Sequence, residues 1–222
     1  PCAFMDVFAS DTVFSSIDHN RRYSYANQPY IAQWNLARLA ESLLPFINND
    51  RGKAIEMAEG SLNTFEQIYK SKWLSMMGSK LGITNINKGD EDLFTTLLDL
   101  MHEHKSDFTN TFRDLSKSEL PKEVLYASEN FQIWYNRWQD RLKKEKQDLE
   151  SSYALMNSVN PAIIPRNHKV EEALIAGEDG DLQPFHNLLH VLEHPYQEGK
   201  HLLPYQSPPR PEEKVHQTFC GT

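Results

Sequence analysis

Residues 125–150 read LYASENFQIWYNRWQDRLKKEKQDLE and hold the strongest periodic pattern in the chain. Phe131, Trp134, Trp138 and Leu142, here called the aromatic stripe, follow one another at steps of three or four residues, which places them on one face of an α-helix. Large rings at helical spacing are typical of a core, although such a stripe could also form a platform for a ligand. The stretch predicts the longest helix of the molecule, with the aromatic stripe buried.

Helical spacing continues on both sides of this stretch, and the charged residues over 140–150 fit a solvated helix face. No alternating run predicts a strand, and no repeat of fixed period is present. The sequence therefore predicts an all-α fold. The other expected helices run from Pro29 to near Pro45, over Ala54–Ala58 until Gly60 interrupts, from Leu62 to Trp73 with a stop at Gly78 and Gly82, from a cap at Asp90 to Met101, over Phe108–Phe112, and as a hairpin of Val170–Ala176 with Leu182–Leu192.

Three regions differ in pattern. Residues 1–28 have no clear period and predict an ordered loop with short helical turns. Residues 29–160 carry most of the expected helices. Residues 161–222 follow an extended break at Asn160-Pro161 and combine the helical hairpin with a tail that holds five of the twelve prolines. We expect that tail to be extended and to run across the surface.

Composition excludes several classes of protein. The 222 residues weigh 25.7 kDa and carry 23 Lys and Arg against 31 Asp and Glu, for a net charge of −8. Such an acidic chain binds nucleic acid and anionic lipid poorly, and no apolar run approaches the ~18 residues of a membrane span. No signal peptide is visible, and two cysteines do not make a secreted disulfide framework. We expect a soluble, intracellular protein and, because the chain lacks an initiator Met, a fragment.

The sequence contains no motif that would bind a phosphate or complete a catalytic site. Its nine glycines form neither G-x-G-x-x-G nor G-x-x-x-x-G-K-[ST]. C-x-x-C, H-E-x-x-H and G-x-S-x-G are absent as well. From the residues alone, no catalytic, cofactor-binding or metal-binding residue is assigned.

Four histidines form one weak candidate for a metal site. His186, His190 and His194 stand at i, i+4 and i+8, with His201 beyond, and two imidazoles on one helix face can hold zinc. A polar helix face is the simpler interpretation, because no cysteine lies nearby and Pro195 ends the helix.

Two aspartates form another candidate. Asp6 and Asp11 could act as general bases or metal ligands. Because the sequence shows no partner for either of them, loop solvation or capping is the favoured interpretation.

The two cysteines, Cys2 and Cys220, stand almost at the ends of the chain. Free cysteines in an intracellular protein are usually small buried apolar groups. Terminal cysteines on flexible segments are poor core residues, however, and are accessible to oxidation. The residues alone leave a buried role and a redox role open.

Six stretches of the chain stand out together: PCAFMD (1–6), RYSYANQP (22–29), AQWNLARLAE (32–41), NP (160–161), RNH (166–168) and FCGT (219–222). In these stretches the chain resembles the selenoprotein O family. Members of this family are kinase-fold proteins, once called pseudokinases, that transfer AMP from ATP to protein hydroxyls. The resemblance implies that residues 1–28 correspond to a kinase activation segment, residues 29–160 to a kinase-like helical C-lobe, and residues 161–222 to the family's C-terminal helical extension and tail.

The register of the resemblance implies which functions lie elsewhere. In the family, an Asp-Tyr-Gly triplet, the counterpart of the metal-binding Asp-Phe-Gly of kinases, directly precedes the segment that here begins Pro1-Cys2. The nucleotide-binding and metal-binding residues are therefore expected in an N-terminal lobe upstream of this chain. The parent enzyme is expected to use ATP and Mg²⁺ and to modify Ser, Thr or Tyr of protein substrates. The fragment alone is expected to bind neither cofactor tightly and to be inactive.

The resemblance also implies a role for Cys2 and Cys220. In bacterial members, a cysteine after the Asp-Tyr-Gly motif and one near the C-terminus form a redox-sensitive bridge. A Cys2–Cys220 bridge would restrain the activation-segment-like region. Animal members place selenocysteine near the C-terminus, so a cysteine at that place favours a bacterial, cytoplasmic protein.

A second interpretation keeps the helical fold without the chemistry. In it, the chain is a stand-alone helical module that binds a protein partner. Both interpretations involve a partner, and a severed lobe predicts exposed apolar surface where the missing lobe would sit.

Overall fold

The computed structural model describes residues 3–117 and 119–218. Within these ranges the chain contains no strand, and its single β-type pairing is an isolated antiparallel bridge between Val7 and Asp107. The all-α prediction is confirmed. The helices are α1 (Gln28–Ile47), α2 (Arg51–Leu62), α3 (Phe65–Lys80), α4 (Asp90–Glu103), α5 (Phe108–Asp114), α6 (Val124–Ala127), α7 (Glu129–Leu142), α8 (Leu149–Val159), α9 (Asn167–Glu178), α10 (Gln183–Leu192) and α11 (Leu203–Gln206).

The aromatic stripe of α7 lies at the centre of the core. All four of its side chains are at most 3% exposed. The two indole N–H groups are satisfied in this apolar setting, because Trp134 Nε1 donates to Leu93 O at 2.8 Å and Trp138 Nε1 donates to Leu81 O at 2.9 Å. The core interpretation of the stripe is therefore confirmed.

Helix α4 packs against α7, and the carboxyl end of α3 and the middle of α8 complete the enclosure of the stripe. An apolar side chain every three or four residues gives α4 its buried face. The buried residues that α3, α4 and α8 contribute, with those just after α3, are Met77, Leu81, Ile83, Leu93, Phe94, Leu97, Leu100, Met101 and Met156.

The expected single helix over 125–150 is wrong, because two polar caps divide it. Ser128 has an extended backbone (ψ 143°), and its hydroxyl accepts from Phe131 N at 3.3 Å, so α7 begins after it. Asp148 accepts from Ser151 N at 2.7 Å and begins α8 in the same way. Short polar side chains compete for the backbone N–H groups and favour a new helix start over continuation.

The charged run over 140–150 is not a solvated face throughout, because Arg141 and Glu145 turn inward. Arg141 Nε donates to Asp90 at 2.8 Å and Arg141 Nη1 to Glu145 at 2.7 Å. Glu145 also accepts from Thr84 N at 3.0 Å and from the Thr84 hydroxyl at 2.6 Å. Burial acts to raise the pKa of Glu145, but the hydrogen bonds from Thr84 and Arg141 outweigh it and lower the pKa from 4.5 to about 2.

Two glycines that were expected to break helices lie inside them. Gly60 is within α2 and Gly78 is within α3. At Gly78 the missing side chain permits a close approach, because a Cβ there would lie 2.9 Å from the carbonyl oxygen of Ile83. Gly82, with φ +74°, does follow the end of α3.

Two boundaries also differ from the sequence-based expectation. Helix α1 continues through Pro45 to Ile47. The N-cap of α4 is Gly89, and Asp90 lies inside the first turn, where its carboxylate accepts from Asn87 N at 2.7 Å. The expected hairpin is present as α9 and α10, which pack side by side and are joined through Gly180 at φ +87°.

Helix α1 lies outside the core. None of its residues is buried, and its main neighbour is α2. A groove of about 480 Å³ is formed by α1, α2 and the start of α3 and is lined mostly by apolar side chains. In the part of the chain that the structure describes, no helix is both long and apolar enough to cross a membrane. The large exposed side chains of α1 are Tyr30, Trp34, Leu36, Leu39, Leu43 and Phe46.

The first prediction concerns the aromatic stripe. Trp134→Ala removes a buried ring and leaves the Leu93 carbonyl without its indole donor, so we expect a loss of about 3–5 kcal/mol in the free energy of unfolding. Urea denaturation followed by circular dichroism measures it. Ile133→Ala is the matched control, because Ile133 is the adjacent residue on α7 and is 62% exposed. Equal losses in the two variants would contradict the proposed place of the stripe.

The second prediction concerns Glu145. Its pKa in the folded state is below the unfolded value, so its contribution to stability is fully present above about pH 4.5 and is lost as the pH falls toward 2. Glu145→Gln should cost about 1–3 kcal/mol at pH 7, and the difference from the parent chain should shrink below pH 4.5. Urea denaturation across this pH range tests it, with exposed Glu171→Gln as the control. A difference that does not vary with pH would contradict the assignment.

Candidate functional site

The candidate site is built around residues 3–27, here called the amino-terminal segment. It lies against the turn between α4 and α5, where Phe108 N donates to Asp6 O at 2.7 Å and Phe8 N donates to Ser106 O at 2.9 Å. These two bonds flank the Val7–Asp107 bridge. The segment is therefore fixed to the helical core by its backbone over residues 6–8.

An aromatic cluster anchors the same part of the segment. Phe8 is 4% exposed, and its ring lies 5.7 Å from the ring centre of Tyr25 and 5.7 Å from that of Phe108. The segment also closes on itself, since Tyr25 N donates to Thr12 O at 3.0 Å. Rings from both ends of the segment thus share one apolar anchor on α5.

Arg166 joins the segment to the helical core through its side chain. Its side chain is only 1% exposed, and its Nη1 donates to Asp6 Oδ1 at 2.6 Å and to Asp107 Oδ2. Its Nη2 donates to Asp107 Oδ1 at 3.1 Å, to Asn110 Oδ1 at 3.1 Å and to Gln206 O at 2.9 Å. One buried guanidinium therefore joins the start of α9 to three other parts of the chain, which are the amino-terminal segment, the start of α5 and the end of α11.

Two carboxylates face this guanidinium. Asp107 also caps α5, accepting from Asn110 N at 2.8 Å. Burial raises the pKa of Asp107, and the nearby charge of Asp6 acts in the same direction, while the hydrogen bonds and charge of Arg166 oppose both. Without Arg166, two buried acids would face each other across the junction.

Asn167 holds the segment two residues further toward its start. Its carboxamide oxygen accepts from Phe4 N at 3.0 Å, and its Nδ2 donates to Phe4 O at 2.8 Å. The side chain thus pairs with both backbone groups of one residue, as a neighbouring strand would. Arg166 and Asn167, here called the Arg166–Asn167 clamp, stand together at the start of α9.

The end of the chain returns to the same segment. Ser16 N donates to Thr218 O at 2.7 Å, and the Thr218 hydroxyl donates to Phe14 O at 3.1 Å. A cleft of about 720 Å³ lies between the segment and the tail, and its walls include Ala3 and Thr218.

A second cleft, of about 930 Å³, lies between the segment, the start of α1 and the helices α3 and α4. Lys80 extends along its floor, with Nζ 4.4 Å from the ring centre of Phe112 and 5.6 Å from that of Phe108. Burial lowers the pKa of Lys80 to about 8. The surface of the cleft is mostly apolar, and its polar lining residues include Lys72, Asp99 and His102.

The structure corrects the interpretation of Asp6 and bears on that of Asp11. Asp6 is paired with buried Arg166 and is not a solvated or capping residue. Asp11 is exposed and pairs with Arg21 at 2.6 Å on the surface. Cys2 and Cys220 lie outside the described residues, so the predicted bridge stays a prediction.

Of the four histidines, His190 and His194 are neighbours on α10 and just after it, with ring centres 6.4 Å apart. His186, His190, His194 and His201 are all exposed. Over residues 3–117 and 119–218, no group of three or more His, Cys, Asp or Glu side chains is arranged to hold a metal ion.

Sequence reasoning did not single out the Arg166–Asn167 clamp as a site. Both residues occur in one of the matching stretches, but no spacing rule links them to Phe4 or Asp6, from which they are separated by 160 or more positions. The available signal was an arginine and an amide directly after Pro165, at a helix start. Only the fold shows what they hold.

Comparison with known proteins identifies the chain. A family model described as protein adenylyltransferase SelO matches residues 1–193. Proteins named protein nucleotidyltransferase YdiU are similar over the whole of this chain. The identity is 48% to that of Nitrosococcus oceani, 50% to that of Alcanivorax borkumensis and 47% to that of Geobacillus kaustophilus.

The match covers 45% of the Nitrosococcus protein and 46% of each of the other two, so the chain spans less than half the length of these relatives. It includes the amino-terminal segment, all the core helices and the clamp. The chain belongs to the SelO family of protein adenylyltransferases.

Proposed function

We propose that this chain is the C-terminal part of a protein adenylyltransferase, which transfers AMP from ATP to Ser, Thr or Tyr hydroxyls of protein substrates. The observation that carries the proposal is similarity over the full chain, at 47–50% identity, to nucleotidyltransferases about twice its length. The relatives are bacterial, which supports a bacterial protein, and we place it in the cytoplasm.

The residues described here do not fit the ATP and Mg²⁺ that the family implies. They offer no cluster of metal-ligating side chains, and the sequence has no glycine-rich phosphate loop. We therefore assign nucleotide and metal binding to an N-terminal lobe outside this chain. No chemical step is assigned to a residue of this chain.

In this proposal, the chain supplies the surface on which the protein substrate is held. Residues 29–160 form a kinase-like helical lobe, residues 1–28 correspond to its activation segment, and residues 161–222 form an extension that holds that segment. The support is the geometry of the amino-terminal segment, which is bonded to α5 on one side and to the start of α9 on the other.

Exposed apolar side chains on α1 support the existence of a partner for this lobe. Trp34, Leu39 and Phe46 are 46%, 53% and 86% exposed, and the 930 Å³ cleft opens beside the start of the same helix. Leu36, Leu39 and Leu43 also line the 480 Å³ groove beside α2 and α3, and exposed apolar surface of this kind marks interaction sites. The same observation favours the second candidate function, a helical module that binds a separate protein and catalyses nothing.

Cys2 and Cys220 remain the proposed redox pair. The support comes from their neighbours in sequence, since Ala3 and Thr218 line the same cleft. A bridge there would tie the amino-terminal segment to the tail and restrict a segment that has to admit a protein substrate.

The test of the main proposal is AMP transfer with two proteins, the 222-residue chain and the same chain preceded by its N-terminal lobe. With ATP, Mg²⁺ and casein as acceptor, we expect the long protein to form an AMP adduct, detected by intact mass, and the short one to form none. The long protein should also cover the apolar face of α1 and bind less hydrophobic dye. Transfer by neither protein would support the binding-module alternative.

The test of the redox pair is peptide mapping without reductant after mild oxidation. We expect a cross-linked peptide that contains Cys2 and Cys220, and its loss in Cys220→Ser. Casein labelling by the long protein should rise when the bridge is reduced. Two free thiols after oxidation would disprove the bridge.

A further inference from the structure

We propose that the Arg166–Asn167 clamp is a positioning device, through which the C-terminal extension sets the place of the amino-terminal segment and thereby the affinity for the protein acceptor. The inference rests on the proposed function for its consequence in catalysis. Its structural part, that the clamp holds the segment in one register, can be tested without any activity.

Asn167 sets the register of the segment because its side chain hydrogen-bonds both backbone groups of a single residue. An amide side chain is both a donor and an acceptor, so it can satisfy the N–H and the C=O of Phe4 together. If the segment slipped by one residue, the backbone groups facing Asn167 would point to the opposite side. A carboxylate at this position would keep the acceptor and lose the donor.

Arg166 sets the position of the segment relative to the core. Its Nη1 donates to a carboxylate oxygen of Asp6 in the segment and to one of Asp107 in the core. Both carboxylates are largely buried, with side-chain exposures of 18% and 11%. A guanidinium can hold two carboxylates at once because its N–H groups are fixed in a plane. A lysine would keep the charge but not this geometry.

The clamp stands where three parts of the molecule meet. Arg166 also donates to the carbonyl of Gln206 at the end of α11, and the tail that follows α11 reaches Phe14 and Ser16 of the segment. A displacement of the C-terminal extension would therefore be transmitted to the segment through these direct contacts.

The first arm of the test measures amide hydrogen exchange in the long protein. Phe4 N and Phe8 N both donate hydrogen bonds that depend on the docked segment. In Asp6→Asn and in Asn167→Asp we expect exchange over residues 4–8 to quicken by about tenfold, with exchange in α7 unchanged. Asp11→Asn is the matched control, because it breaks an exposed ion pair inside the same segment. Unchanged exchange over residues 4–8 would overturn the clamp.

The second arm measures kinetics with casein as acceptor. Asp6→Asn and Asn167→Asp should raise the KM for casein about tenfold and change the KM for ATP less than twofold. Arg166→Lys keeps the positive charge but loses the planar geometry, so it should also raise the KM for casein. Asp140→Asn, which breaks the exposed pair with Lys143, is the control for loss of a surface charge.

The two arms separate the two proposals. A fall in kcat together with a lower melting temperature and an unchanged KM for casein would reduce the clamp to a structural support. If the unsubstituted long protein labels no casein, the proposed function and the kinetic role fail together, and the exchange experiment alone decides whether the clamp holds the segment.

Discussion

The burial of two indole rings is the constraint on which this fold depends. Trp134 and Trp138 are stacked 5.8 Å apart, and each can enter the core only because a main-chain carbonyl accepts its N–H. The two acceptors, Leu93 O and Leu81 O, belong to α4 and to the end of α3. The same rings that supply apolar area thus fix where the neighbouring helices lie, and α5 and the amino-terminal segment are placed by the far end of α4.

Outside this core, charged side chains fix the position of the amino-terminal segment. Asp107 follows the turn after α4 and starts α5, and its carboxylate is also the core end of the junction with Arg166. The Asp107 side chain therefore caps a helix, forms an ion pair and helps to position the amino-terminal segment. Loss of Asp107 would disturb all three, which is why Asp6 and Asn167, which hold the segment without capping α5, are the informative positions.

The sequence carried the fold class because local periodicity does not depend on distant partners. The aromatic stripe predicted α7 and its burial, and a helix from Asp90 to Met101 was expected where α4 lies. Helix boundaries were less predictable, since Ser128 and Asp148 act as caps only where the chain can turn away. Asp6 was misjudged for a related reason: its partner, Arg166, is 160 positions distant, and no local pattern reports such a pairing. The candidate site was therefore largely invisible until the fold brought its two ends together.

Sequence separation also bears on the order in which the molecule assembles. The α1–α2 and α9–α10 pairs join neighbours in sequence, whereas Ser16 and Thr218 are 202 positions apart. Contacts that close such long loops form late, because the loss of chain entropy precedes any gain from the contact. We therefore expect the amino-terminal segment to dock late during folding and to be among the first parts to detach in the native state. Because Met5 and Phe8 of the segment belong to the same buried cluster as Trp134, its detachment would expose part of that core.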